Sequence, residues 1–527
     1  MLIAQAKPAQ PGWVRALVAS VPGAAMALAF TPWAHSIGVW CPSLLSTLAL
    51  SGLLVLLHAA FKPGYGAWTA WGFGTAWVSG GTFWLYVSLH QFGGLPAWLA
   101  VVAIVSLAAA LSLYMALLGA AWVRWRRGRW AHDALLFGSL WLLAEAARAL
   151  ILTGFPWAAS GYALIDTGLV ALAPWLGVYG LAQVWATGVA AVVLATCLRQ
   201  GLGVALISVC VAGVGVFGMQ AVWPSFVQPH GRALSVSLIQ GNVPQNEKFE
   251  ATFQIEALGW HTRQLLQAQG DLVMAPETVI PLLPADLPEG YWRSLVDHFQ
   301  QGQTAALFGV PFGSFKGGYT NSVAGISSGT RHESGGFYRY NKHHLVPFGE
   351  FIPDGFHWFV NLMNMPLGDF TRGPSNAPSF EVAGQWVAPN ICYEDLFGED
   401  LAARFTQGPT PPPTIMANVS NLAWFGRDAA IFQHLQIARM RSLEFQRPTL
   451  RATNTGATVV IDHLGRVTAE QPRNTQGILR ATVQGMRGLT PFVRWAGPHG
   501  LWPLILLSTG MVLGLIFSSC RARHPAA

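Results

Sequence analysis

Charge is scarce in this 527-residue chain. Only 10% of it is Asp, Glu, Lys or Arg, while 52% is hydrophobic. A soluble globular protein carries roughly 25% charge, so composition argues against a soluble protein throughout. Cysteine is scarce as well. Of five, only Cys392 falls between residues 232 and 495, so that stretch can form no internal disulfide. The sequence lacks a P-loop, an H-E-x-x-H pair and any Cys/His ligand spacing, and His343, His344 and His434 form no such pattern. Nothing therefore calls for a cofactor or a metal. A net charge of +7 forms no basic stripe with interleaved aromatics, which argues against a nucleic-acid partner.

The charge that is present divides the chain. Residues 1–231 hold nine Lys or Arg and three acids, and the remaining 43 of the 55 charged residues follow. Ala16 to Phe61, Pro63 to Val123 and Trp495 to Cys520 contain no charge at all. A membrane-spanning helix needs roughly 20 apolar residues, so each of the first two runs can hold two. Gly and Pro punctuation places eight spans near 14–30, 35–60, 66–89, 97–123, 131–151, 170–198, 202–223 and 500–519. The first is read as an uncleaved helix, because further spans follow it directly. Lys62, the cluster Arg124, Arg126, Arg127 and Arg129, then Arg199, Arg521 and Arg523 all fall on one side if the N-terminus is cytoplasmic. Seven spans then deliver residues 232–495 to the opposite side, and the eighth returns the chain.

Residues 232–495 change texture. Ala233–Ile239, Leu272–Pro276, Ala305–Val310, Trp386–Cys392 and Thr414–Val419 read as buried strands, and Thr252–Gln269 and Ala429–Gln446 read as helices. The alternation predicts an α/β layered domain. Glu277 and Cys392 stand at strand ends, where side chains gather in a common crevice. With Lys342 they supply what thiol catalysis needs: a base in Glu277, a nucleophile in Cys392, and in Lys342 an oxyanion holder whose charge favours the thiolate. Gly325-Ile-Ser-Ser-Gly329 matches a serine-nucleophile pattern, but the polar residues after it read as a turn.

These motifs resemble a known family. Ala275-Pro-Glu277, Asn341-Lys342 and Ile391-Cys392-Tyr393-Glu394 look like the Glu–Lys–Cys triad of the nitrilase, or carbon–nitrogen hydrolase, superfamily. Seven preceding spans and one following narrow the resemblance to bacterial apolipoprotein N-acyltransferases. Thr153-Gly-Phe-Pro-Trp157, Gln240-Gly-Asn-Val-Pro244, Leu345-Val-Pro-Phe-Gly-Glu350, Ser420-Asn421 and Arg439-Met-Arg-Ser-Leu-Glu444 belong to the same pattern. The resemblance implies an eight-helix transmembrane bundle plus an α/β nitrilase-like αββα sandwich. The expected divisions are residues 1–231, 232–495 and 496–527, in a bacterial inner membrane with the catalytic domain periplasmic.

The resemblance also implies a reaction. A phospholipid donates an acyl chain to Cys392, and the α-amine of a diacylglyceryl-modified lipoprotein cysteine accepts it from the thioester. Glu350 and Glu394 would support the site, while Tyr393 and Trp157 would position lipid or the access loops. Two positions depart from the pattern. Phe249 stands where Trp is common, still offering an aromatic face to an acyl chain, and Leu422 stands where the family usually has Asp. The apolar run from Phe356 to Phe370, Trp358 included, predicts a lid at the bilayer surface. Two other readings use the same residues. A membrane-tethered amidase or nitrilase would need only one span. A transporter with a binding domain would need charges along its spans, and these spans hold few, chiefly Glu145 with Arg148, a pair on one helix face.

Overall fold

The computed structural model describes residues 11–222, 225–244, 251–314, 317–360 and 369–521. Its first part is helical: α1 Gly12–Leu28, α2 Pro32–Ile37, α3 Cys41–His58, α4 Pro63–Gly81, α5 Ala97–Leu111, α6 Leu113–Trp125, α7 Trp130–Leu150, α8 Ala173–Cys197 and α9 Leu202–Val222. A helix stands at each predicted span, but eight independent spans do not emerge. Among the described residues, four stretches are long and apolar enough to cross a membrane: Cys41–His58, Ala97–Trp125, Trp130–Thr153 and Gly168–Cys197. A bent pair near the C-terminus, Pro491–His499 with Trp502–Ser518 at 92°, raises the number to five.

Length and composition explain the difference. At 17 residues, α1 reaches about 25 Å at 1.5 Å per residue, short of the roughly 30 Å hydrocarbon layer. In α4, Gly at positions 64, 66, 72, 74, 80 and 81 lowers the mean hydropathy. Gly66 and Gly72 serve helix contact rather than lipid contact. A Cβ on Gly66 would stand 2.4 Å from the Gly119 carbonyl oxygen, and one on Gly72 would stand 2.2 Å from that of Ala16. Small residues of this kind let membrane helices approach backbone to backbone. The interior also holds a group of aromatic rings, including Phe73, Trp77, Trp141 and Trp185. The Glu145–Arg148 pair forms as expected, at 3.6 Å and buried.

The second part contains β1 Val227–Pro229, β2 Leu234–Gln240, α10 Ala251–Gln267, β3 Leu272–Met274, α11 Tyr291–Gln301, β4 Ala305–Ser314, β5 Gly318–Ile326, β6 Tyr338–Asn341, α12 His357–Val360, β7 Phe380–Val382, β8 Gln385–Ile391, α13 Gly398–Thr406, β9 Ile415–Ser420, α14 Ala429–Phe445, β10 Thr449–Thr453, β11 Val459–Ile461, β12 Val467–Glu470, β13 Gly477–Val483 and β14 Met486–Gly488. Helices α15 Pro491–His499 and α16 Trp502–Arg521 close the chain.

Among the described residues two six-stranded sheets form, in the orders β13-β2-β3-β4-β5-β6 and β12-β11-β10-β9-β8-β7, while β1 and β14 pair separately. Alternation along the strands sorts the core into layers. Leu272 and Met274 of β3 face Ile415, Ala417 and Leu450 of the opposite sheet. Val273 and Ala275 turn the other way, into a cluster with Leu265 of α10 and Leu295 and Phe299 of α11. On the far side, Ala388 and Met416 pack with Leu401 and Phe405 of α13. The result is an αββα sandwich. Strands β2, β3 and β4 run parallel, as do β8, β9 and β10, so their C-terminal ends collect at one edge.

Helix α14 has two partners. Ile431, Leu435 and Ala438 join the core between the sheets, while Ala430, Ile437 and Met440 join the membrane-half core. Such a helix must be apolar on nearly all sides, and its polar residues need buried partners. Gln433 has four: it accepts from the Nε1 groups of Trp84 and Trp157, and donates to the carbonyls of Phe30 and Gly81.

Candidate active site

Glu277 lies three residues beyond β3 and Cys392 directly after β8, both at the edge where the parallel strands end. Lys342 follows β6, its backbone N–H bonded to the Asn321 carbonyl at 2.8 Å. The three side chains converge in a nearly sealed site. Lys342 is 1% exposed. Its Nζ lies 2.9 Å from Glu350 Oε1 and 3.7 Å from Glu277 Oε1. Burial alone opposes the ammonium charge, but Glu350 and then Glu277 outweigh it and hold the Lys342 pKa above its ordinary value. The cation is thus secured by two carboxylates before any substrate arrives.

Cys392 is buried and has φ of 52°. A left-handed backbone at a non-glycine residue costs on the order of 1 kcal/mol or more and persists only where its surroundings enforce it. Burial first, and the Glu277 carboxylate second, push the thiol pKa above its ordinary value, against the pull of Lys342 and the Asn421 N–H. The sequence suggests that Lys342 favours the thiolate. It does, but burial and the carboxylate outweigh it and keep the sulfur protonated as a thiol.

Two asparagines complete the geometry. Asn321 Nδ2 donates to Glu277 Oε1 at 2.8 Å and to Glu350 Oε1 at 2.7 Å. The Asn421 N–H donates to Glu277 Oε2 at 3.0 Å. Both Glu277 oxygens therefore accept from neutral donors, which orients the carboxylate. Motif reading did not single out Asn321. Its only signal is the polar run Thr320-Asn321-Ser322 inside a buried strand.

The supporting residues hold the backbone. Glu394 accepts from the Tyr340 hydroxyl at 2.8 Å and from the N–H groups of His343 and Ile391 at 2.6 and 2.7 Å. It ties the turn after Lys342 to the strand before Cys392. Glu350 also accepts from the Val346 N–H at 2.9 Å. The Tyr393 hydroxyl donates to the Gly154 carbonyl at 3.1 Å, and the His344 ring meets the Thr153 carbonyl at 2.9 Å. The loop after α7 is thereby gripped by the neighbours of both Cys392 and Lys342. Leu152, Thr153 and Gly154 there all have positive φ. Trp157, 3% exposed, lies behind this loop against the His434 ring at 5.9 Å.

Other candidates sit elsewhere. Trp358 is 63% exposed and Phe356 45%. Phe348 and Ile352, just before them, pack on Leu95 and Ala100 of the membrane half. Phe249 and residues 361–368 of the expected lid lie outside the described residues. Leu422 is 1% exposed and belongs to the core between the sheets. A narrow cleft lined by Val243, His261, Thr278, Val279 and Asn454 opens beside Glu277.

A thiol, a carboxylate and a lysine joined at the strand ends of an αββα sandwich define the carbon–nitrogen hydrolase class. The family model for carbon–nitrogen hydrolase matches residues 235–491, and that for the apolipoprotein N-acyltransferase N-terminal domain matches residues 22–191. Apolipoprotein N-acyltransferases of Ralstonia nicotianae and Verminephrobacter eiseniae are each 45% identical, over 88% and 92% of this chain and 88% and 91% of theirs. That of Bordetella bronchiseptica is 38% identical over 98% of both chains. The chain belongs to the apolipoprotein N-acyltransferase family. It is a membrane-associated acyltransferase of lipoprotein N-acylation, which sets aside the amidase and transporter readings.

Proposed function

We propose that the enzyme moves an acyl chain from a phospholipid to the α-amine of a diacylglyceryl-modified N-terminal cysteine, through a thioester on Cys392. The reading is carried by one observation: a buried thiol with Glu277 and Lys342 beside it, on a turn gripped by the membrane half. In the first step Cys392 gives its proton to Glu277 as sulfur attacks the ester carbonyl carbon. Charge moves to the carbonyl oxygen, where Lys342 stabilises it. The ester C–O bond breaks, and the departing lysophospholipid oxygen takes the proton from Glu277. In the second step the amine attacks the thioester carbonyl and passes a proton to Glu277. The C–S bond then breaks, and the sulfur recovers the proton. The products are an N-acyl amide and the free thiol.

Glu350 keeps Lys342 charged and oriented, and Glu394 fixes the two turns that carry Lys342 and Cys392. Tyr393 and Trp157 hold the access loop, Phe249 offers an aromatic face to the acyl chain, and Trp358 belongs to the lid. Incubation with phospholipid and no lipoprotein tests the scheme. The intact protein should gain the mass of one acyl chain, and hydroxylamine should remove it. Release of free fatty acid without any mass gain would point to hydrolysis instead.

The same reading divides the chain into residues 1–231, 232–495 and 496–527. It places eight membrane crossings in the bacterial inner membrane, with the middle division periplasmic. The arginine clusters support this orientation, and the short and glycine-rich helices complete the count. A reporter fused after Arg129 should score as cytoplasmic, and one after Gly408 as periplasmic. Both scoring on one side would end the model.

The lid has its own test. Trp358→Asp should slow turnover of bilayer phospholipid several-fold while leaving the melting temperature unchanged, because an exposed carboxylate costs little. A large loss of stability would mean that the ring is part of a core, since burying an unpaired carboxylate is strongly destabilising.

A further inference from the structure

We propose that His434 is a positioning residue for the acyl-transfer reaction, holding the strained backbone of Cys392 through a hydrogen bond to its carbonyl oxygen. The inference rests on the thioester reading above. His434 Nε2 lies 3.1 Å from the Cys392 carbonyl oxygen. Its other ring nitrogen, Nδ1, lies 3.1 Å from Arg451 Nη2. A guanidinium can only donate, so Nδ1 accepts and Nε2 carries the proton toward Cys392. Burial and then Arg451 push the His434 pKa well below its ordinary value, which keeps the ring in this neutral form.

The contact belongs to a closed ring of hydrogen bonds. Arg451 Nη1 donates to Asp395 Oδ2 at 2.6 Å, and Asp395 Oδ1 accepts from Asn390 Nδ2 at 3.0 Å. Asn390 Oδ1 accepts from Asn418 Nδ2 at 2.5 Å, and the same amide reaches the Cys392 carbonyl at 3.4 Å. Every side chain in the circuit is at most 1% exposed. The ring grips the chain at Asn390, Cys392 and Asp395, on both sides of the residue whose φ is 52°. Of the two donors on the Cys392 carbonyl, His434 is the shorter and comes from α14, the helix shared with the membrane half. Its ring also lies against Trp157. The sulfur direction is therefore set by a donor outside the Glu–Lys–Cys set. Reaction rates respond to such placement: a shift of about 1 Å can cost on the order of 100-fold.

The test uses the full-length enzyme in detergent or bilayer, with acyl-enzyme formation from phospholipid followed by intact mass in single turnovers. Wild type must acquire the acyl chain, and its failure to do so would reject the thioester reading itself. His434→Leu removes the donor. It should fold, keep the phospholipid KM within about threefold, and acylate on the order of 10-fold or more slowly. His434→Gln can donate to the Cys392 carbonyl and accept from Arg451, and should recover most of the rate. A folded Leu variant acylating at the wild-type rate would overturn the proposal, as would one whose loss lies in KM. Should His434→Leu not fold, the Gln variant decides alone: a near-wild-type rate supports the proposal, and a folded Gln variant at least 10-fold slow overturns it.

Discussion

Cys392→Ala should abolish transfer, and Cys392→Ser should show little or no turnover. The serine hydroxyl is far harder to ionise than a thiol, whose free pKa is about 8.5. Even the thiol is held above its ordinary pKa here by burial and Glu277, so the site has no spare driving force to ionise an alcohol. Neither variant should lose much stability. The thiol is small, and the turn that carries it is held by backbone and neighbouring side chains rather than by sulfur. Melting curves should therefore stay close to wild type while activity vanishes. A covalent intermediate splits one difficult exchange into two and lets the donor leave before the acceptor binds. Initial rates with both substrates varied should give the parallel double-reciprocal lines of that order. An active Cys392→Ala enzyme would remove the thioester from the mechanism.

Glu277→Gln and Lys342→Ala should each block thioester formation, but with different effects on the fold. Glu277→Gln keeps the shape and loses the base, and since the resting sulfur is a thiol, acylation should nearly stop. Stability should fall only modestly, because Lys342 retains Glu350 at 2.9 Å. Lys342→Ala should cost on the order of 100-fold or more in acylation by leaving the oxyanion unsupported. It also strands Glu350 and Glu277 in a buried site, where breaking one side of a buried pair costs about 3–5 kcal/mol. A large drop in melting temperature is thus expected for Lys342→Ala alone. Near-normal thioester formation in either variant would take that residue out of the chemistry.

Much of this protein is legible in its sequence because the signals are local. Apolar runs bounded by turns placed strands at 386–392 and 414–419, where β8 spans Gln385–Ile391 and β9 spans Ile415–Ser420. The helix expected over 429–446 is Ala429–Phe445. Burial periodicity and strand ends also located Glu277 and Cys392, and the Glu145–Arg148 pair followed from helix spacing alone. Long apolar runs were less decisive. They reported hydrophobicity, which a bundle interior shares with a lipid-facing surface. The glycines of α4 carry their meaning only once Gly66 meets Gly119 and Gly72 meets Ala16.

By itself, then, the sequence determined a charge-poor helical half, an α/β half and the three side chains proposed to react. These follow from composition and from periodicities of two and 3.6 residues, which act over a few neighbours. Only the tertiary structure decided how those side chains are aimed. Asn421 meets Glu277 across 144 residues of chain and Gln433 meets Trp157 across 276, while His434 reaches Cys392 from a separate helix. No local pattern encodes such pairings. They arise because two sheets and a shared helix bury these polar groups together, and a buried polar group away from water must find its partner within the protein.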